Sequence, residues 1–182
     1  MSGQRIGTVP TEDIIDMLID AAETALATLD QLAIDYEVIS CDPELADTQV
    51  FCAHYGYPLS SSANVIIAAG KAEPRCYAAC VLLATTRLDV NRSVRKRLGV
   101  SRASFASAEE THTMTGMEIG GVTPFDLPND IVIYVDAKVM QLDSVILGSG
   151  SRSSKIKVAP SVFEQLLNTE IIEGLSLSPE PG

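Results

Sequence analysis

The run Asn64-Val65-Ile66-Ile67-Ala68-Ala69 constrains this chain more than any other stretch. Consecutive apolar side chains leave neither face of an extended segment for water, so the run reads as a strand central in a sheet with cover on both sides. Ser60, Ser61 and Ser62 lead into it, and residues 70–74 read as a turn. Cys76 to Thr85 is then the returning strand of a hairpin. A sheet of this kind needs helices to bury it.

The chain supplies them at irregular intervals. Thr11 caps a helix running to about Ala33, because Ile14, Leu18, Ala21, Ala25, Leu29 and Leu32 recur at helical spacing. Tyr36 to Ile39 is a short strand. Asp42-Pro43 opens a second helix that ends near Gly56, and His54 in its last turn complements the negative helix end. Asp89 caps a helix over Val90 to Leu98, closed by Gly99, with Arg92, Arg95 and Lys96 on one face. After a strand near Ala103 to Phe105, Ser107 and Glu110 form a capping box for a helix over 108–114. Strands follow at Ile131 to Val135 and Ser144 to Leu147, a helix from Pro160 to about Leu167, and a disordered tail after Leu175. The order indicates an α+β fold: a single domain over residues 1–175 with a curved mixed sheet of six or seven strands and flanking helices. Residues 1–34 form its N-terminal scaffold helix and 176–182 a flexible tail.

Composition narrows the class. At 182 residues and 46% hydrophobic the chain is globular, and no apolar run approaches the ~20 residues that span a bilayer. The N-terminus lacks an apolar signal core, so a cytoplasmic protein without a membrane partner is expected. Cys41, Cys52, Cys76 and Cys80 form no paired C-x-x-C motif and read as buried free thiols. Cys41, Cys52 and His54 match no standard zinc spacing, so neither a metal nor another cofactor is expected. The net charge of −11 argues against indiscriminate nucleic-acid binding. Six of the 13 Lys and Arg nonetheless fall between Arg87 and Arg102, and three more between Arg152 and Lys157. A solvated helix face and a local phosphate contact both fit that clustering.

Two glycine-rich stretches remain. Thr115 to Phe125 carries Gly116, Gly120, Gly121 and Pro124 between a capped helix and a β-branched strand, an ordered loop whose amides can grip a carbonyl or phosphate oxygen. Local chemistry alone favours a structural turn there. Gly148 to Lys155 lacks the Gly-Lys-Ser/Thr ending of a nucleotide loop, and Ile156 and Val158 alternate with Lys155 and Lys157 as in a strand. It reads as a glycine-rich hairpin whose Arg152 and Lys155 are placed to touch phosphate.

Taken in order, the hairpin, Arg87-Leu88-Asp89, Leu98-Gly99, Ser107-Ala108-Glu109-Glu110, Thr115-Gly116, Gly120-Gly121-Val122-Thr123-Pro124-Phe125, Tyr134-Val135-Asp136 and Gly148-Ser149-Gly150 resemble the YbaK family of editing domains associated with prolyl-tRNA synthetase. The resemblance covers about residues 35–172. It implies hydrolysis of the ester of a mischarged aminoacyl-tRNA carrying a small amino acid, with the tRNA 3′ end and an aminoacyl-tRNA synthetase as partners, in a monomer or homodimer. By the same resemblance Gly120, Gly121, Val122, Thr123 and Pro124 form the loop holding the aminoacyl end. Gly116, Phe125, Asp136, Gly148, Ser149 and Gly150 line the substrate site, and Arg92, Arg95, Lys96, Arg152 and Lys155 meet the tRNA. Deacylases of the family carry a lysine early in the central strand, where this chain has Ala63-Asn64. Asn64 stands in as a donor without charge, and a non-catalytic module binding an aminoacyl end or small metabolite is the alternative.

Overall fold

The computed structural model describes residues 11–179, with side chains from residue 21. In chain order the elements are α1 (Thr11–Gln31), β1 (Tyr36–Ser40), α2 (Thr48–Tyr55), β2 (Ala63–Gly70), β3 (Cys76–Leu83), β4 (Arg87–Leu88), α3 (Arg95–Leu98), β5 (Ala103–Phe105) and α4 (Ala108–Thr115). Then come β6 (Val132–Asp136), β7 (Val145–Gly148), β8 (Ser154–Val158), β9 (Thr169–Ile172) and β10 (Ser176–Leu177).

The apolar run is β2, and it lies inside a five-stranded mixed sheet of order β5-β2-β3-β6-β9. Both faces of that sheet are covered, as its composition requires. On one face Ala63, Ile67, Ala79, Val81, Ile133 and Val135 pack under Ala25 and Leu29 of α1 and under Met117, Val122 and Phe125 of the glycine loop. On the other, Ala68, Ala78, Cys80, Leu82 and Tyr134 pack under Val90, Val94 and Leu98 of the basic helix. Burying a Val, Leu, Ile or Phe side chain contributes about 1.5–3 kcal/mol, so each face is a substantial layer.

A second, antiparallel sheet of order β1-β8-β7 abuts the first through a parallel bridge between Ser62 and Ile146. Its outer face carries Ile39 and Ile146, which α2 covers with Phe51 and Cys52. The expected single sheet is thus divided, with a third pair formed by β4 and β10. The α+β class and the hairpin of β2 and β3 hold, with Ala63 opposite Leu83 and Gly70 opposite Cys76.

Four local expectations change. The second helix is two pieces, because Asp47 takes an extended backbone (ψ 132°) after the short turn Pro43–Leu45 and restarts the chain as α2. The basic helix opens with a π-helical turn, Val90–Val94, since the Asp89 carbonyl accepts from both Ser93 and Val94. The segment after Pro160 is a 3₁₀ stretch, Pro160–Glu164; Asn168 at φ 54° then turns the chain into β9. Ser176 and Leu177, expected in the tail, pair with Leu88 and Arg87. The caps and boundaries of α4 are as expected, with Ser107 and Glu110 each bonding the other's backbone. The side chains of Ile14 and Leu18 in the α1 stripe, and the last residues of the tail, 180–182, lie outside what is described.

Candidate active site

β5 covers only the far end of β2, at Ala68 to Gly70. Between that end and the Ser62–Ile146 bridge the strand's edge is open, and a cleft of about 500 Å³ runs along it. Its floor is Ala63, Asn64, Val65 and Ile66. Asp47, Thr48, Gln49 and Val50 of α2 form one wall, and Ile119, Gly120 and Val122 of the glycine loop with Gly148 and Lys155 form the other.

The groups facing the open edge follow from strand alternation. Ile67 accepts through its carbonyl from Ala106 on the β5 side, and Ser62 accepts from Ala84 on the β3 side. Residues two apart share a direction, so the N–H and C=O of Val65 face the cleft, while β7, bridged to the chain at Ser62, takes up the start of the strand. Asn64 projects from the same strand. Its Oδ1 accepts from Thr48 Oγ1 at 2.6 Å, which fixes the carboxamide and leaves Nδ2 as the donor to the cleft.

The glycine loop is held by its carbonyls. Arg152 donates through Nη1 to the Ile119 carbonyl, through the same nitrogen to Asp47 Oδ1 at 3.2 Å, and through Nε to the Pro43 carbonyl at 3.0 Å. Lys155 Nζ donates to the Gly120 carbonyl at 2.7 Å. Gly120 sits at φ +90°, and a Cβ there would stand 2.3 Å from Arg152 Nη1, so the position demands glycine. Gly121 donates to the Glu118 carbonyl and its own carbonyl accepts from Gly150. Among the described residues the amides of Gly120 and Val122 have no partner, and both residues line the cleft. Gly148 packs flat against this loop: a Cβ on it would lie 2.2 Å from the Val122 carbonyl oxygen.

Of the residues named from sequence, Asn64, Gly120, Val122, Gly148 and Lys155 meet in the cleft. The others stand elsewhere. Pro124 and Phe125 line a separate groove beside Thr28 and Leu32 of α1, and Phe125 stacks on Phe163. Thr123 is fully buried. Gly116 is the left-handed cap of α4. Asp136 is wholly buried, accepting from the Lys138 and Ser176 amides at 2.9 Å each, and so ties β6 to β10. Ser149 bonds Ser154 and Ser151 within its own turn, and Gly150 packs on the Ala21 carbonyl of α1. Arg92, Arg95 and Lys96 are exposed on the basic helix. Arg152 and Lys155, expected on a phosphate-touching surface, are instead committed to the loop, and Lys155 is only 3% exposed. Cys41 and Cys52 are buried, with their sulfurs against the Arg152 carbonyl and Ser62 Oγ.

The wall from α2 was missed by the sequence reading, which ran one helix through Asp47 and Thr48. The Asp-Thr pair after Ala46 is an N-cap signal that marks the restart.

The family model for the aminoacyl-tRNA editing domain matches residues 42–166, which hold the cleft and both glycine stretches. The chain belongs to the aminoacyl-tRNA editing domain family. Among curated proteins, the uncharacterized protein YwhH of Bacillus subtilis (strain 168) is 37% identical over 75 residues; that match spans 41% of this editing domain and 47% of YwhH, about half its length. A solved structure of the hypothetical protein APE2540 superposes with TM-score 0.75 at 21% identity, covering 85% of this chain and 99% of that one. A structure described as a candidate trans-editing enzyme for prolyl-tRNA synthetase gives TM-score 0.71 at 16% identity, covering 84% and 95%. At such identities the likeness is one of fold. It supports the YbaK-type assignment made from the loop residues.

Proposed function

We propose that this editing domain hydrolyses the ester of a mischarged aminoacyl-tRNA carrying a small amino acid. The observation that carries the reading is the cleft itself, whose wall beside β2 includes Gly120 and Val122, residues with amides that have no partner among the described residues. An ester carbonyl laid between them meets donors already in place. Water adds to the carbonyl carbon, the bond to the ribose oxygen breaks, and that oxygen takes the proton. Fixed amides stabilise the charge that develops, and one such donor is worth about 2.7–4 kcal/mol. The ribose's neighbouring hydroxyl can orient the water, so the scheme asks for no protein triad. Asn64 Nδ2 supplies a further donor.

Size selection follows from the walls. Val50, Val65, Ile66, Ile119 and Val122 narrow a space that must also take the terminal ribose. A methylene in such a pocket is discriminated by only about 1–3 kcal/mol, which is why a second hydrolytic check is useful at all. The exposed Arg92, Arg95 and Lys96 are the candidate contacts to the tRNA backbone.

The test is a deacylation panel of alanyl-, cysteinyl-, seryl- and threonyl-tRNA. At least one should be cleared faster than its uncatalysed rate, with correctly charged tRNAs of large amino acids spared. Asn64→Ala should slow the favoured substrate about tenfold, the loss expected of one hydrogen bond. No hydrolysis at high protein concentration would leave the non-catalytic binding module, which the engaged carboxamide at position 64 in place of a charged group favours.

A further inference from the structure

Lys155 is the one buried cation in the cleft wall among the described residues, and holding the loop does not exhaust it. An ammonium carries three donors. One goes to the Gly120 carbonyl, and the Phe51 ring lies 5.7 Å from Nζ on another side. Among the described residues Nζ meets no other hydrogen-bond acceptor. Burial and the nearby Arg152 guanidinium push its pKa below the ordinary lysine value, while Asp47, Cys41 and Cys52 pull the other way. A charge kept in so dry a place without a full set of partners is expensive, and such cost is tolerated where a ligand completes the set.

The position has a chemical logic. The Gly120 carbonyl is an acceptor in the wall where an ester carbonyl must be received, and two carbonyl oxygens repel. Lys155 caps that oxygen and presents N–H donors in its place. The strand geometry makes this possible, because Lys155 stands opposite Gly148 in the β7–β8 pair. With no side chain on Gly148, the ammonium and the loop share one wall.

We propose that Lys155 is a catalytic residue: its ammonium, anchored on the Gly120 carbonyl, donates to the acyl carbonyl oxygen of the bound aminoacyl ester and to the oxyanion that forms from it. The proposal rests on the editing reading for its substrate. No proton need leave the lysine; the hydrogen bond shortens as charge develops on the oxygen, and relaxes when the carbonyl re-forms.

Two measurements separate this claim from the reading beneath it. The first titrates the wild-type protein with 3′-(alanylamino)-3′-deoxyadenosine, an amide that keeps the acyl carbonyl and resists hydrolysis, following the Lys155 ¹⁵Nζ resonance. A shift of that resonance on saturation is expected, and binding should weaken about tenfold in Lys155→Met, which keeps the chain length against Phe51. The second compares single-turnover deacylation by wild type, Lys155→Met and Lys155→Gln. A fall of at least a hundredfold at saturating substrate is expected in both variants, with melting midpoints near that of the wild type.

An unmoved ¹⁵Nζ resonance with the analogue bound would overturn the proposal, as would variants that hydrolyse within threefold of wild type. If the wild type hydrolyses nothing yet binds the analogue with the ¹⁵Nζ shift, the editing reading falls and the lysine contact stands. If it neither hydrolyses nor binds, both fall. The wild-type titration needs no variant to fold.

Discussion

Gly148 shows how tightly the cleft is set by single residues. A Cβ there would be 2.2 Å from the Val122 carbonyl oxygen and 2.8 Å from that of Gly121, and both are backbone atoms that cannot swing aside. Gly148→Ala must therefore push the loop. The expected result is a loss of about 1–3 kcal/mol in chemical denaturation, as for other overpacked sites. Deacylation should fall by about a hundredfold, since a displacement near 1 Å at a reacting centre costs that much. Wild-type activity in a stable Gly148→Ala variant would show that the loop does not position the substrate. This glycine was legible from sequence as part of a special turn, but not why: its neighbour in space is 26 residues away in the chain.

Lys155 was misread for a related reason. The alternation of Lys155 and Lys157 with Ile156 and Val158 suggests one wet face, and α2 covers that face near Lys155 with Phe51. Its burial makes a pH prediction. The folded protein holds the Lys155 proton less tightly than the unfolded chain, whose lysine titrates at about 10.5. The unfolded state therefore binds more protons between the folded-state pKa and about 10.5, and stability gains as pH rises through that window. The denaturation free energy of wild type minus that of Lys155→Met should climb as pH rises toward 10.5; groups remote from Lys155 cancel in the difference. A flat difference would mean that the amine is not desolvated.

At the scale of elements, what could be read was whatever carries its own local signal. The capping box at Ser107 and Glu110, the left-handed Gly56 and Gly99, and the doubly apolar β2 each declare themselves within a few residues. The failures lie where tertiary pairing decides. Thr169–Ile172 becomes β9 because β6 offers an edge, with Ile133 opposite Thr169 and Asp136 opposite Ile172. Ser176–Leu177 is ordered because Arg87-Leu88 receives it and Asp136 accepts from the Ser176 amide. Polar, proline-rich composition predicts a tail; a buried carboxylate overrides it. Asp136→Ala should consequently loosen the C-terminal segment more than the site. Faster amide exchange at Ser176, with deacylation kept, is the expected pattern, and a loss of deacylation without faster exchange would place Asp136 in the chemistry instead.

For the whole molecule, the fold class and the loop were readable, whereas the cleft was not, because it is assembled from six segments spread over residues 47–155. The proposed contact with tRNA likewise depends on the whole surface. The net charge of −11 repels a polyanion overall, while Arg92, Arg95 and Lys96 stand exposed together, across the sheet from the core that supports the glycine loop. An acidic body with a local cationic helix favours one docking orientation over many, since each wrong approach meets carboxylates. Arg92→Glu with Arg95→Glu should weaken tRNA binding and reduce the slope of log K against log salt by about 2, one for each phosphate contact removed. Hydrolysis of a short aminoacylated acceptor-end minihelix that does not reach the basic helix should be unchanged in the same variant. A double variant with the wild-type salt slope would mark that face as merely solvated and send the search for the tRNA footprint to the rim of the cleft.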